Sequence, residues 1–338
     1  MARRGGQTAV LLWFLGLRRR PAARDRRALG PAGRGSAGRA AHVLKHSAAS
    51  RPGQQTCRPV TDAFAIDGQL LAGPDGDARW NNLGDWREAD DYTAACGALA
   101  RLHGETAALA PGQRVLELAC GHGAAVEIWR REFQAGPITA LDIRSHCIAG
   151  LRTAPPVDRL TVAEGRFDRP LPAPLAGQLF DAVLCVDAAY HADSIDAFLE
   201  TAARALVPGG RLAFTTLIRT SEDALRLGLR GGARRMALRM ASVPPASLVS
   251  ETALRSAAAA QGLEVLELRD LTPRVFPGFA AWVGRREGEL SWRRRLSPAW
   301  LKLAVTARLC LQLHASKQTA YVLVSIRRAD GAPAPLFR

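Results

Sequence analysis

From residue 87 onward, short apolar runs of strand length alternate with amphipathic runs of helix length. That alternation is the mark of βαβ units, in which helices cover both faces of a mostly parallel sheet. Seven runs have strand character: RVLELAC (114–120), PITALDI (137–143), RLTVAEG (159–165), FDAVLCVDA (180–188), GRLAFTTLI (210–218), EVLELRDL (264–271) and TAYVLVSIR (319–327). Between them, GAAVEIWRREF (123–133) and IDAFLETAARALV (195–207) are helical stretches, and the PGG after the second predicts a helix stop and tight turn. The expected fold class is α/β, a doubly wound, seven-stranded, mostly parallel sheet with helical insertions.

Two segments break the rhythm, 219–246 and 272–318. The second gathers Phe276, Phe279, Trp282, Trp292 and Trp300 within 25 residues. Insertions after the C-terminal ends of strands are where open α/β sheets build ligand sites, so these two predict a lid and a largely apolar pocket. The first insertion repeats arginine at helical spacing, Arg226, Arg230 and Arg234, with a bend at Gly231 and Gly232. It reads as a solvated lid face; the sharper alternative is a basic surface for an acidic acceptor or an anionic membrane.

Composition, 48% hydrophobic and 23% charged, is that of a globular chain. The net charge of +15 suggests nucleic acid until its distribution is examined. Residues 1–51 hold 12 of the 46 basic residues against Asp25 alone, so the remaining residues are close to neutral. No nucleic-acid partner is expected. The basic start and the apolar stretch from Thr8 to Leu17, followed at once by Arg18, Arg19 and Arg20, are too short to span a bilayer and ill-suited to a secretory signal. Residues 1–60 are expected to be a disordered tail, an over-extended start or an organelle-targeting segment; 61–110 an arm and helix over the cofactor; 111–338 the catalytic domain. Six cysteines stand far apart with no CxxC and no His/Cys ligand spacing, which predicts reduced thiols, an intracellular and cytoplasmic location, and no metal.

The chemistry starts at VLELACGHGAA (115–125), an apolar strand that carries the acid Glu117 and runs into a turn of small residues. The first strand-to-helix turn of such a sheet lets a ligand meet backbone N–H groups, and Ala119, Gly121 and Gly123 permit close approach. The phosphate-binding GxGxxG pattern is missing, and Glu117 would repel a pyrophosphate while welcoming a cation. A second acid, Asp142, ends the next strand, where a carboxylate accepts hydrogen bonds from ribose hydroxyls. An ammonium plus a ribose, without phosphate, describes S-adenosylmethionine (SAM).

These motifs resemble the class I SAM-dependent methyltransferases of Rossmann-like fold, in their small-molecule branch. The family's (D/E)-x-G-x-G-x-G motif reads ELACGHG here, with Ala119 at the first glycine, and the LxPGGxL turn of that branch reads LVPGGRL. WNNLGDW (80–86) resembles the N-x-G-x-W arm that folds over the cofactor. The resemblance implies that Glu117 lies toward the methionine amino end and that Gly121 and Gly123 admit the cofactor. It further implies that Asp142 takes the ribose, and that Ile143 with Arg166 or Phe167 flanks the adenine. Asn82, Trp86 and Asp187 join the cofactor set; Arg166 stands where the family often has Asp, and Asp168 is the candidate replacement. His191, in DAAYH after the fourth strand, is the candidate general base, with packing against the methionine part as its bland alternative. Methyl transfer asks little of the protein beyond alignment, which supplies roughly 7–11 kcal/mol in favourable cases.

The function expected is methyl transfer from SAM to a small, largely apolar acceptor such as a lipid, isoprenoid, quinone or polyketide-like molecule, with possible peripheral membrane contact. A polar amine or thiol acceptor and a catalytically silent scaffold are the alternatives. A nucleic-acid methyltransferase is disfavoured, because the (N/D/S)PP(Y/F/W) box of that class reads DAAY here.

Overall fold

The structure, a computed structural model, describes residues 66–73, 76–154, 157–220, 236, 238–239 and 241–330. The arm begins with α1 (Gly68–Ala72), capped by Asp67, whose carboxylate accepts from the N–H groups of Gln69 and Leu70. Helix α2 (Tyr92–Thr106) starts the same way, with Asp91 accepting from Ala94 N–H at 2.8 Å. Such side chains satisfy N–H groups that the first helical turn leaves without partners.

The alternating unit follows as β1 (Val115–Leu118), α3 (Ala124–Arg131), β2 (Ile138–Asp142), α4 (Ser145–Thr153), β3 (Leu160–Glu164), β4 (Phe180–Cys185), α5 (Ile195–Ala205) and β5 (Leu206–Arg219). After it come β6 (Val249–Ser250), α6 (Glu251–Ala260), β7 (Leu263–Asp270), α7 (Thr272–Glu289), α8 (Trp292–Arg295), α9 (Pro298–Ser316) and β8 (Thr319–Arg328). All seven predicted strands form; the two-residue β6 beside β5 is too short for periodicity to reveal. The sheet order is β3-β2-β1-β4-β5-β8-β7, parallel except where β8 runs antiparallel to β5 and β7. Every residue of β1 and β2 is buried, which is why these strands read as near-continuous apolar runs rather than alternating ones.

Two boundaries differ from expectation for local reasons. The fourth strand stops at Cys185, short of the predicted 188, and Asp187 two residues on takes a left-handed φ of 56° incompatible with a strand. Helix α5 ends at Ala205, before the predicted PGG stop; Leu206 already pairs with Phe180, and the register shifts before Ala182 meets Arg211. The PGG is thus a kink inside β5, with Gly209 at φ 73°.

The insertion at 272–318 is the helical set α7, α8 and α9. Its aromatic residues are mostly core: Phe276, Phe279 and Trp300 are buried, Trp282 donates to Leu71 O at 3.0 Å, and Trp292 is exposed. The arm is fastened to α7 by the Asp85–Arg274 ion pair and by Trp86 N–H donating to Arg274 O at 3.0 Å. Gly278 makes this possible, since a Cβ there would lie 2.2 Å from Trp86 Cβ. Arg226, Arg230 and Arg234 of the other insertion lie outside the described residues, as does Cys57; the five described cysteines are free thiols. Among the described residues no helix is long and apolar enough to cross a membrane.

Candidate cofactor and acceptor site

The chain doubles back between β1 and β4, and a crevice opens there at the carboxyl ends of the strands, the expected ligand position in this topology. A cleft of about 620 Å³, partly open to solvent, is lined by Asn81, Ala119, Asp142, Ile143, Arg144, Arg166, Phe167, Asp168, Val186, Asp187, Ala188 and His191. Seven sequence candidates therefore meet in one place: Ala119, Asp142, Ile143, Arg166, Phe167, Asp187 and His191.

The turn after β1 carries three left-handed residues, Ala119 at φ 59°, Gly121 at 57° and Gly123 at 73°. The family's first glycine is explained by this geometry, because an L residue at that φ is strained by about 1–2 kcal/mol. Gly121 serves close approach as well: a Cβ would lie 2.9 Å from Asn81 Nδ2 and 3.0 Å from Arg144 Nη2. Gly123 caps α3 and packs under Leu151.

Asp142 is buried and fully engaged. Its Oδ2 accepts from Gly121 N–H at 2.7 Å and Arg144 Nη2 at 3.0 Å; its Oδ1 accepts from Arg144 N–H and Nε, both at 2.9 Å. Burial pushes the carboxyl upward, but the Arg144 guanidinium and the two backbone donors outweigh it and hold Asp142 below the usual carboxylate range. Asn81, its amide turned to accept, takes both Arg144 Nη groups at 3.1 Å. At the other end of the cleft Arg166 grips Asp168 at 2.8 and 2.6 Å, so the two form one ion pair instead of alternatives.

A second cavity of about 670 Å³ shares Asn81, Asp187 and His191 with the first. Its other walls are mostly aliphatic: Leu83 from the arm, Leu217 from β5, Leu238, Ala241 and Val243 from the segment before β6, and Thr306, Leu309, Cys310 and Leu313 along one face of α9. Of the predicted aromatic set, Phe276 alone reaches it, and Lys302 adds an ammonium group.

The shared wall is polar, with Asp187 buried and Asn81 and His191 half-buried. Asp187 Oδ1 accepts from Tyr321 Oη at 2.7 Å and Tyr190 Oη at 2.8 Å, and Oδ2 accepts from Leu83 N–H at 2.7 Å. Burial drives the Asp187 carboxyl up to about 6, against these three donors, so the group is ionised above that pH. Non-glycine residues with positive φ gather at functional sites, and Asp187 is one. His191 Nδ1 lies 2.9 Å from Ser242 O; a carbonyl only accepts, so Nδ1 carries the hydrogen and Nε2 is the basic nitrogen of the neutral ring.

Five sequence candidates lie outside the cleft lining. Glu117 is buried behind the turn, accepting from Trp129 Nε1 at 3.0 Å, and burial lifts its carboxyl to about 8. Gly121 and Gly123 shape the turn without lining the cleft. Asn82 bonds within the arm, its Oδ1 accepting from Gly84 N–H at 2.9 Å, and Asn81 is the arm's residue at the cleft. Trp86 sits against Gly278 and Trp282, with ring centroids 5.6 Å apart in the tryptophan pair. Arg144 was missed; its signal was a cation two residues after the strand-end acid.

A model of the methyltransferase domain family matches residues 86–268, more than half of the chain. The chain belongs to that family. Over 118 residues, 34% of the chain, it is 37% identical to the fatty-acid O-methyltransferase of Mycolicibacterium smegmatis, covering 42% of that protein. Over 114 residues, 32% of the chain, it is 33% identical to a ubiquinone biosynthesis O-methyltransferase of Xylella fastidiosa, covering 44% of that one. The matched stretch thus spans less than half the length of either relative. The cyclopropane synthase MmaA2 from Mycobacterium tuberculosis shares the fold at 15% identity, with a TM-score of 0.63 over 79% of this chain and 94% of that one.

The residues of this chain fit SAM, the cofactor of the family to which its domain belongs. The left-handed turn brings backbone close without a phosphate cradle, and Asp142 and Asp187 offer carboxylates to hydroxyls and to a cation. Four donors already occupy Asp142, the usual capacity of a carboxylate, so ribose hydroxyls reach it only by displacing the Arg144 side chain.

Proposed function

We propose that this methyltransferase moves the methyl group of SAM to the polar end of a lipid-like acceptor whose apolar body occupies the second cavity. The observation that carries this reading is the shared wall. Two cavities, one lined by mixed polar and apolar groups and one mostly aliphatic, meet at Asn81, Asp187 and His191. A fatty-acid O-methyltransferase and a quinone-pathway O-methyltransferase among the relatives support the acceptor class.

Bound SAM supplies a sulfonium-activated methyl group, and the residues of the chain do the rest. Aliphatic side chains from β5 and α9 exclude water and hold the acceptor's body, burial worth about 25 cal/mol per Å² of apolar surface. Asn81 and Asp187 bound the junction from which the acceptor's polar atom must approach. Tyr190 and Tyr321 fix the Asp187 carboxylate, whose negative charge stabilises a neighbouring cation above pH about 6. His191 Nε2 takes the proton that an acceptor hydroxyl loses; a carboxylate acceptor needs no such step. Trp292 and Leu296, 67% and 65% exposed beside Arg293, Arg294 and Arg295, give the insertion a tip suited to an anionic lipid surface from which such an acceptor is drawn.

The test is incubation of the purified protein with methyl-labelled SAM and separate acceptor sets: free fatty acids, quinols, and polar amines and thiols. Label extracted into the organic phase, and lost in His191→Ala for hydroxyl acceptors only, supports the reading. Label confined to the polar set would refute it, and no transfer despite SAM binding would leave a silent scaffold.

A further inference from the structure

The fold assembles a group of side chains that the reaction above does not use. His122 stands in the turn after β1, between Gly121 and Gly123, while His146 and Cys147 sit in the first turn of α4. His146 lies 24 positions after His122, and no short ligand motif links them. In three dimensions their donor atoms converge, all within 4.8 Å of one another.

The two sulfur–nitrogen distances within the cluster suit one ion. Cys147 Sγ lies 3.4 Å from His146 Nε2 and 3.8 Å from His122 Nε2. In a tetrahedral zinc site, bonds of about 2.0 Å to nitrogen and 2.3 Å to sulfur set the nitrogen–sulfur edge near ~3.6 Å. The two observed edges straddle that value. The imidazoles face each other loosely, with centroids 5.8 Å apart at 55°, an arrangement that leaves their Nε2 atoms turned toward the sulfur instead of stacked. Cys147 is buried and His146 exposed, so the sulfur is screened from bulk water while the approach stays open from the histidine side.

We propose that His122, His146 and Cys147 form a binding site for a borderline-soft divalent transition ion of the Zn²⁺ type, with the fourth position left to water. Two imidazoles and a thiolate select Zn²⁺ over the hard ions Mg²⁺ and Ca²⁺, which take oxygen ligands. On binding, the Cys147 thiol releases its proton to solvent and no electron is transferred. The ion staples the cofactor turn, which carries Gly121, to α4, whose N-cap is Arg144; both residues bond to Asp142 at the end of β2. A staple that holds these segments in their binding geometry favours the cofactor, and by linkage the cofactor favours the ion by the same factor. The site goes beyond the methyl-transfer reading and stands or falls without it.

The experiment titrates the full-length, metal-stripped protein with Co²⁺ as a spectroscopic stand-in, then displaces it with Zn²⁺. The expected result is one equivalent bound, tetrahedral visible bands, and a thiolate-to-cobalt charge-transfer band in the near ultraviolet. His146→Ala, at an exposed position that leaves the fold intact, should weaken Co²⁺ binding at least ten-fold. Cys147→Ser should abolish the charge-transfer band, with circular dichroism confirming that both variants are folded. S-adenosylhomocysteine should bind several-fold tighter with Zn²⁺ than without, and equally in His146→Ala with or without it. A charge-transfer band that survives in Cys147→Ser would assign the thiol elsewhere, Cys57 included, and overturn the site. Co²⁺ bound with a pale octahedral spectrum, or equally by wild type and His146→Ala, would overturn it too. An S-adenosylhomocysteine affinity indifferent to Zn²⁺ in the wild type would overturn the staple.

Discussion

The cofactor side and the acceptor side of the shared wall are built by different rules. On the cofactor side, the cleft is made from Asn81 of the arm and from residues at or just after the ends of β1, β2, β3 and β4, and two of its three carboxylates meet guanidinium groups two residues away in sequence, Asp142 with Arg144 and Asp168 with Arg166. On the acceptor side, the lining comes from the arm, β5, the segment before β6, α7, β8 and five positions on α9, up to 247 residues apart from Ile66 to Leu313. Backbone geometry and short polar pairs make a site that many chains can share, whereas an aliphatic cavity drawn from distant segments changes its shape with any of them.

Loss of one side without the other is the sharpest break of that comparison. Val243→Asp places a carboxylate in the aliphatic cavity, where burying an uncompensated charge costs several kcal/mol. Transfer to an apolar acceptor should fall at least ~100-fold in kcat/KM, while S-adenosylhomocysteine affinity by calorimetry stays within about two-fold. Comparable losses in both would show that the two cavities are one site energetically.

Glu117 tests the interior of the cofactor side. Its folded value of about 8 lies above the ordinary 4.5, so its contribution is fully present below pH about 4.5 and is lost as pH rises through about 8. Glu117→Gln keeps an acceptor for Trp129 and removes the buried charge. It should therefore stabilise the protein at pH 9 by on the order of 2 kcal/mol and have no such advantage at pH 4. Denaturant melts at the two pH values read this directly, and a pH-independent difference would mean that the carboxyl is not buried in solution.

Arg144 tests whether the polar pair competes with the cofactor. If its side chain must leave Asp142 before ribose arrives, the apparent affinity carries that penalty. Arg144→Ala should then bind S-adenosylhomocysteine roughly five-fold tighter. Weaker binding would make Arg144 a cofactor contact in its own right. The smallest effect is expected at Ala119→Gly, which relieves the left-handed strain at φ 59° and should raise stability by about 0.5–1 kcal/mol, seen as a higher melting temperature with unchanged kinetics.

The amino-acid sequence by itself determined the α/β class, the strands around the cleft and the acid that ends β2, because these depend on local periodicity and on turn chemistry within a few residues. Seven of twelve site candidates line the cleft for the same reason. Local pattern could not say that Glu117 turns inward to Trp129, that Asn81 replaces Asn82 at the cleft, or that Trp86 is held by Gly278, 192 residues away. Those outcomes were decided by which side chains the packed helices and strands leave room for. The same holds for the aromatic residues of 272–318, which mostly filled core while the aliphatic face of α9 formed the cavity. Tertiary structure alone brought His122 to His146 and Cys147, since donors on a turn and on a separate helix acquire a spacing only when the sheet sets the two side by side.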